Sequence, residues 1–310
     1  RNRSNDVDYK FHQDPNLYYL SGYTEPNGIL VLFSEPQFND GGQYKEILFV
    51  QARDPKLEQW TGYRLGTMGA KEKLGFEYVL TAQEFLQGKI DYSKFNKILL
   101  SKPNGAFTDN VNDSTDSYDL FEYLLGKVNS LNSIRKTDSN PDLNQPQNSN
   151  SRVDTKVTRE IVAGLREIKT EDEMQLMRKA IKIAAVAQCE VMKAMHSNMS
   201  ESEIQGIHEY IYKKYGSEAV AYPSIVGAGA NGCVLHYIEN NKTRVGNDLV
   251  LMDIGAEYHG YSADVTRTIP ANGSFTEAQR TIYNLVLKAQ NAAITDAVVG
   301  NDFSNLENAS

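Results

Sequence analysis

Apolar residues in the first 130 positions of this chain come in short unbroken runs. Gly28 to Phe33 and Ile47 to Val50 are of strand length. Between such runs lie segments of helical spacing, such as Tyr118 to Val128, and their alternation predicts an α/β domain. From Asn129 to Val153 the apolar residues thin out in favour of Ser, Asn, Asp, Pro and Gln, which predicts an exposed loop or linker. A different grammar follows. Thr170 with Glu173, Ser200 with Glu203 and Thr276 with Gln279 each have the spacing of a capping box that opens a helix. The first helix is expected to bury Met174, Met177, Ile181, Ala184, Ala185 and Cys189, the second Ile204, Ile207 and Ile211, and the third Ile282, Leu285, Val286 and Ala289. Two strand-like runs, Asp248 to Ile254 and Tyr261 to Ile269, lie between the second and third helices and are joined by a short turn ending in Gly260. Helices flanking a hairpin predict an α+β domain, so the chain divides at its polar segment into residues 1–155 and 156–310.

Composition narrows the class. With 310 residues, 40% of them hydrophobic, the chain can bury two sizeable cores. A net charge of -8 argues against nucleic acid as a partner, because phosphate contacts require clustered Lys and Arg. No apolar run reaches the roughly 20 residues that cross a bilayer, so no membrane span is expected. Cys189 and Cys233 sit among apolar or small residues and are expected to be buried free thiols, without a disulfide or a cysteine metal site. A cytoplasmic protein is the expectation, although the chain opens at Arg1 without an initiator methionine, which is compatible with a removed signal peptide.

Candidate chemistry concentrates between Leu249 and Thr268. Asp253 interrupts an otherwise apolar strand of Leu249, Val250, Leu251, Met252 and Ile254, where an unpaired charge is costly. A hairpin turn centred between Tyr258 and His259 sets Asp253 directly opposite Asp264, and a shift of two residues makes the contact diagonal. Directly opposed side chains stand roughly 4.5–5.5 Å apart at Cβ. Two carboxylates so close repel unless one is protonated or a cation lies between them, and a pair of divalent ions suits the span. The alternative is that both are solvated hairpin residues, or that Asp264 bonds turn amides. Upstream, the segment Tyr222 to Asn240 runs from a strand through small residues to His236, which taken alone reads as structural. His12, His196, His208 and His259 read as surface or packing residues.

The stretch Asp253 to Thr268, with Leu235, His236, Tyr237 and Asn240 before it, resembles aminopeptidase P, the Xaa-Pro aminopeptidase of the creatinase and methionine-aminopeptidase superfamily. Leu165 to Glu173 and Tyr222 to Gly227 support the likeness, as do Asn5, Asp6, Gln13, Tyr18 to Leu20, Gly22, Glu25, Pro26 and Trp60 to Gly66 in the first domain. The resemblance implies a creatinase-like α/β domain followed by a pita-bread α+β domain. It implies a site for two divalent metal ions, commonly manganese, in which Asp253 matches the first aspartate and Asp264 the bridging one. His236 matches a catalytic, substrate-binding histidine that is not a ligand, and Asp6 matches an acidic residue that reaches a neighbouring subunit's site in oligomeric members. The expected activity is release of the N-terminal residue from peptides with proline second, by attack of a metal-bridged hydroxide.

In that family the third ligand, a histidine, and two glutamates follow the point where this sequence stops. The expectation is therefore a truncated pita-bread domain that binds metal poorly and does not turn over by itself. Homo-oligomers, dimers or tetramers, are expected. The rivals are prolidase, which takes only Xaa-Pro dipeptides, and a catalytically dead pita-bread module that binds a peptide or protein.

Overall fold

The computed structural model describes residues 3–4, 7–8, 10–39, 41–101, 113–138 and 153–309. The chain forms two compact units, Arg1–Ile168 and Lys169–Ser310. The sequence reading opens the second domain at residue 156, whereas the helix over Val157–Glu167 belongs to the first unit.

In the first unit a short antiparallel pair, β1 (Arg3–Ser4) and β2 (Val7–Asp8), precedes helix α1 (Pro15–Ser21). Strands β3 (Ile29–Asn39) and β4 (Gly42–Val50) pair antiparallel. Helices α2 (Pro55–Thr61) and α3 (Gly66–Leu74) lead to β5 (Val79–Thr81), which pairs parallel to β4 and leaves β4 in the middle. Then come α4 (Ala82–Leu86), β6 (Ile98–Leu99), α5 (Ser117–Asp138), β7 (Val153–Asp154), parallel to β6, and α6 (Val157–Glu167). Side chains alternate across a strand. Leu48 and Val50 accordingly enter one core with Tyr23, Ala70 and Phe76, while Ile47 and Phe49 enter another with Phe85, Ile90 and Leu120. A strand buried on both faces needs a continuous apolar run, which is what Ile47 to Val50 supplies.

Helix α5 continues to Asp138, through ten residues assigned above to a linker. Ser and Asn are only modestly poorer helix formers than their neighbours, and extending a helix costs far less than nucleating one. The remainder of the predicted linker, 139–152, lies outside the described residues.

The second unit opens with α7 (Glu171–Ala194) and α8 (Glu201–Lys214), each with a complete capping box, at Thr170/Glu173 and at Ser200/Glu203. β8 (Ala219–Val220), β9 (Ile225–Ala228), β10 (Leu249–Ile254), β11 (Ala256–Tyr258), β12 (Tyr261–Ser262) and β13 (Val265–Pro270) follow. They form two three-stranded sheets, β13-β10-β9 and β12-β11-β8. Helix α9 (Glu277–Asp296), opened by the Thr276/Gln279 box, and α10 (Phe303–Ala309) complete the unit.

Val250, Met252 and Ile254 of β10 are fully buried on the face against α7 and α8, where Ala180, Ile183, Ala184, Ala187, Val191, Ile204 and Ile211 meet them. Three expectations about this unit fail. The buried stripe of α7 is the alanine-rich one, while Ile181, Ala185 and Cys189 are exposed, because small side chains let the helix approach its neighbours closely. Cys233 is exposed as well, so neither thiol is buried. Helix α9 buries no residue among those described, and Ile282, Leu285 and Val286 of its predicted inner face are each about 60% exposed.

Candidate metal centre

The turn between β11 and β12 sets the register of the site. Its two central residues, His259 and Gly260, both have positive φ (48° and 78°), the requirement of the two-residue hairpin turn whose twist matches the flanking strands. Tyr258 therefore pairs with Tyr261 and, farther along, Asp253 pairs with Thr266 and Ile254 with Val265. The turn is centred one residue later than the sequence reading placed it. Asp264 thus stands diagonal to Asp253 rather than directly opposite.

The two carboxylates still meet at one group. Between β10 and β11 lies Gly255, where an added Cβ would fall 1.9 Å from the carbonyl oxygen of Ala263 and 3.0 Å from the Cβ of Ala221. Only glycine permits that approach. The Tyr222 hydroxyl lies 2.6 Å from Asp253 Oδ1 and 3.1 Å from Asp264 Oδ1, so the two carboxylates converge on one atom. Asp253 is half-buried and Asp264 exposed, and Asp253 lies on the opposite face of β10 from the buried Met252 and Ile254.

One phenolic proton serves two acceptor oxygens. Burial pushes the Tyr222 hydroxyl well above its ordinary range, and the hydrogen bonds and negative charges of Asp253 and Asp264 push it further. Among the described residues neither carboxylate has a Lys or Arg partner. Two acceptor-only groups without a neutralising cation suit part of a divalent metal's oxygen shell. They do not fill one. Among the described residues no cluster of three or more His, Cys, Asp or Glu comes together.

Beneath the site, on the core side of β10, the Gln188 amide of α7 donates to the carbonyls of Met252 (3.3 Å) and Val265 (3.4 Å), neighbours of Asp253 and Asp264. The His208 ring of α8 is fully buried against it, 3.4 Å from Gln188 Oε1 and 3.1 Å from the Ile204 carbonyl. Burial lowers its pKa from 6.5 to about 4. The sequence reading of His208 as an ordinary packing residue understated its depth.

His236 is exposed on the loop that follows β9 and the 3-10 turn Gly229–Cys233, beside Leu235, which is 89% exposed. No hydrogen bond or ion pair joins it to either aspartate. Asp6 lies outside the described residues. Sequence reasoning passed over Tyr222, because nothing in the spacing of a tyrosine before a proline indicates that its hydroxyl meets two aspartates of another hairpin.

The sequence over 175–310 matches the model of metallopeptidase family M24, and residues 1–96 match the N-terminal domain of aminopeptidase P. Residues 175–310 carry an M24 metallopeptidase domain. Its first unit carries the aminopeptidase P N-terminal domain and its second the M24 pita-bread domain. Metallopeptidases of this family work with divalent metal ions. The Xaa-Pro aminopeptidase of Escherichia coli is 34% identical over 287 residues, which cover 93% of this chain and 59% of that protein. Human Xaa-Pro aminopeptidase 3 is 32% identical over 312 residues, 98% of this chain and 55% of that one. Among solved structures, aminopeptidase PepP of Pseudomonas aeruginosa superposes with a TM-score of 0.81 at 29% identity, covering 99% of this chain and 64% of that one. A zinc-substituted E. coli aminopeptidase P in complex with product has a TM-score of 0.74 at 32% identity, with 95% and 61% covered. The chain spans about three-fifths of the length of the relatives it matches. No helix among the described residues is long and apolar enough to cross a membrane.

Proposed function

We propose that this chain is part of a metal-dependent aminopeptidase that releases the N-terminal residue from peptides carrying proline at the second position. The observation that carries the reading is the convergence of Asp253 and Asp264 on the single hydroxyl of Tyr222, with no Lys or Arg partner among the described residues. The likeness to Xaa-Pro aminopeptidases over more than nine-tenths of the chain supports the substrate class.

In this reading Asp253 and Asp264 would hold two divalent ions, manganese in the native protein. When bound, the ions would supply Lewis acidity for the peptide carbonyl and a nucleophile active at neutral pH. Tyr222 keeps its proton at Oη and orients the carboxylates through it. His236, exposed on its loop, hydrogen-bonds the peptide near the scissile bond. Asp6 reaches the site of a neighbouring subunit in a homo-oligomer. The protein works in the cytoplasm.

Two carboxylates are fewer ligands than a hard divalent cation takes. The 310-residue chain is therefore expected to hold Mn2+ only weakly and to hydrolyse a Xaa-Pro-Xaa tripeptide very slowly. Paramagnetic broadening of NMR signals during Mn2+ titration tests the site. Signals near Asp253 and Asp264 should broaden first, and D253N and D264N should each weaken the effect at least about tenfold, the loss of one charged ligand. Broadening elsewhere, or broadening unchanged in both variants, would sink the metal assignment. Cleavage of a Xaa-Pro dipeptide in preference to the tripeptide would indicate prolidase instead.

A further inference from the structure

Glu201, the first residue of α8, is fully buried, and the site described above does not use it. Its carboxylate accepts four hydrogen bonds. Oε1 takes the Ala228 amide at 2.8 Å and Asn231 Nδ2 at 3.0 Å, and Oε2 takes the Tyr237 hydroxyl at 2.8 Å and the Lys242 amide at 2.9 Å. The Glu201 amide in turn donates to the Lys242 carbonyl at 3.0 Å. All four donors belong to one stretch, residues 228–242, and mark its entry, middle and exit.

Capping of α8 does not explain this arrangement, since Ser200 and Glu203 already complete the capping box. Burying a carboxylate is costly unless its oxygens are satisfied, and four donors, two of them main-chain amides, satisfy both. Within the loop Tyr237 gathers further bonds, accepting from Asn231 Nδ2 at 2.9 Å and from the Asn241 amide at 3.2 Å. Asn240, buried and with φ of 44°, bonds the Val226 amide and the Ser224 carbonyl and fixes the exit from a second direction. Tyr237 therefore points inward, 8% exposed, while its neighbours Leu235, His236 and Ile238 face outward.

We propose that Glu201 is a positioning residue: its carboxylate ties the two ends and the centre of the 228–242 loop together and, through Tyr237, aims His236 outward toward the peptide. The aim toward a peptide rests on the reading of His236 given above. The tying of the loop does not.

Hydrogen exchange across residues 229–242 and the ring resonances of His236 in the 310-residue chain test the proposal. E201Q presents an NH2 group to donors and should speed exchange in the loop at least about tenfold relative to β10, the consequence of losing a charge-assisted bond. The His236 signals should move with it. Y237F, which removes one donor and keeps the ring, should give a smaller change in the same signals, and it serves if E201Q does not fold. I211V is the control: it trims the core of the same unit and lowers Tm but should leave loop exchange and the His236 signals where they are. Unchanged loop exchange and His236 signals in folded E201Q and Y237F would overturn the proposal, as would equal changes in I211V. Binding of a Xaa-Pro-Xaa tripeptide to H236A separates the two readings. Undiminished binding there would remove the substrate role of His236, while faster loop exchange in E201Q would still support Glu201 as the tie.

Discussion

Strands β4 and β10 are both the middle strand of a three-stranded sheet, and they differ in what their second face does. In the last four residues of β4 both faces are closed, and Ile47, Leu48, Phe49 and Val50 are all essentially inaccessible. In β10 only alternate residues are fully buried, and the other face carries Asp253. A stretch of strand with two packed faces has no room for an unsatisfied polar group, so Ile47 to Val50 are all apolar and chemically silent. A strand with one open face keeps its sheet through every second residue and leaves the others free for chemistry. Within β10 the division is one residue wide: Met252 and Ile254 hold the sheet to α7 and α8, and Asp253 between them meets Tyr222.

The sharpest way to break this contrast is to cut into both strands. Phe49→Ala is expected to destabilise the first unit by about 3–5 kcal/mol through lost burial and a cavity, read as a lower urea midpoint. Asp253→Leu should cost the second unit nothing measurable or stabilise it slightly, because it removes a charge with no Lys or Arg partner among the described residues, while abolishing Mn2+ binding. A comparable loss of stability in D253L would mean that the open face of β10 is structural.

A second test probes the closed side of β10 through His208. Its folded pKa, about 4, lies below the ordinary 6.5, so the folded state favours the neutral ring. Stability from this group is complete above pH 6.5 and is lost as the pH falls toward 4, because the unfolded chain takes up the proton first. Over that interval the loss is on the order of 3 kcal/mol. Urea denaturation at pH 7 and pH 4.5 should therefore show a smaller acid loss in H208F than in the parent, and equal losses would contradict the buried neutral ring. The smallest effect belongs to the open surface of the first unit. Asp154 has its pKa lowered to about 2, first by its hydrogen bond to Lys97 at 2.8 Å and then by the amides of Val157 and Lys156. In K97M an NMR titration should find it partway back toward 3.8, with Tm unchanged, since exposed ion pairs contribute little.

Much of this was legible along the chain. The three capping boxes mark the starts of α7, α8 and α9, because capping depends on residues three apart. Asp253 stands out as a charge inside an apolar strand. The register was not legible, since it hangs on His259 adopting positive φ, which a histidine does only in particular turns. Nor were the exposed thiols or the buried stripe of α7, where the larger apolar side chains pointed to the wrong face.

Helix α9 separates the two kinds of information. Its cap and its period of Ile282, Leu285 and Val286 determine that it is a helix with an apolar face, as they do for α8, yet α8 buries Ile204 and Ile211 and α9 buries nothing among the described residues. By itself the sequence determined the elements, their starts and the acidic pair, because those follow from interactions a few residues long. Tertiary structure alone decided which faces close, that Asp253 and Asp264 meet through Tyr222 rather than across the ladder, and that Glu201 binds the whole 228–242 loop. These depend on groups distant in sequence arriving at one place, and local propensity carries no record of where a side chain's partner will come from.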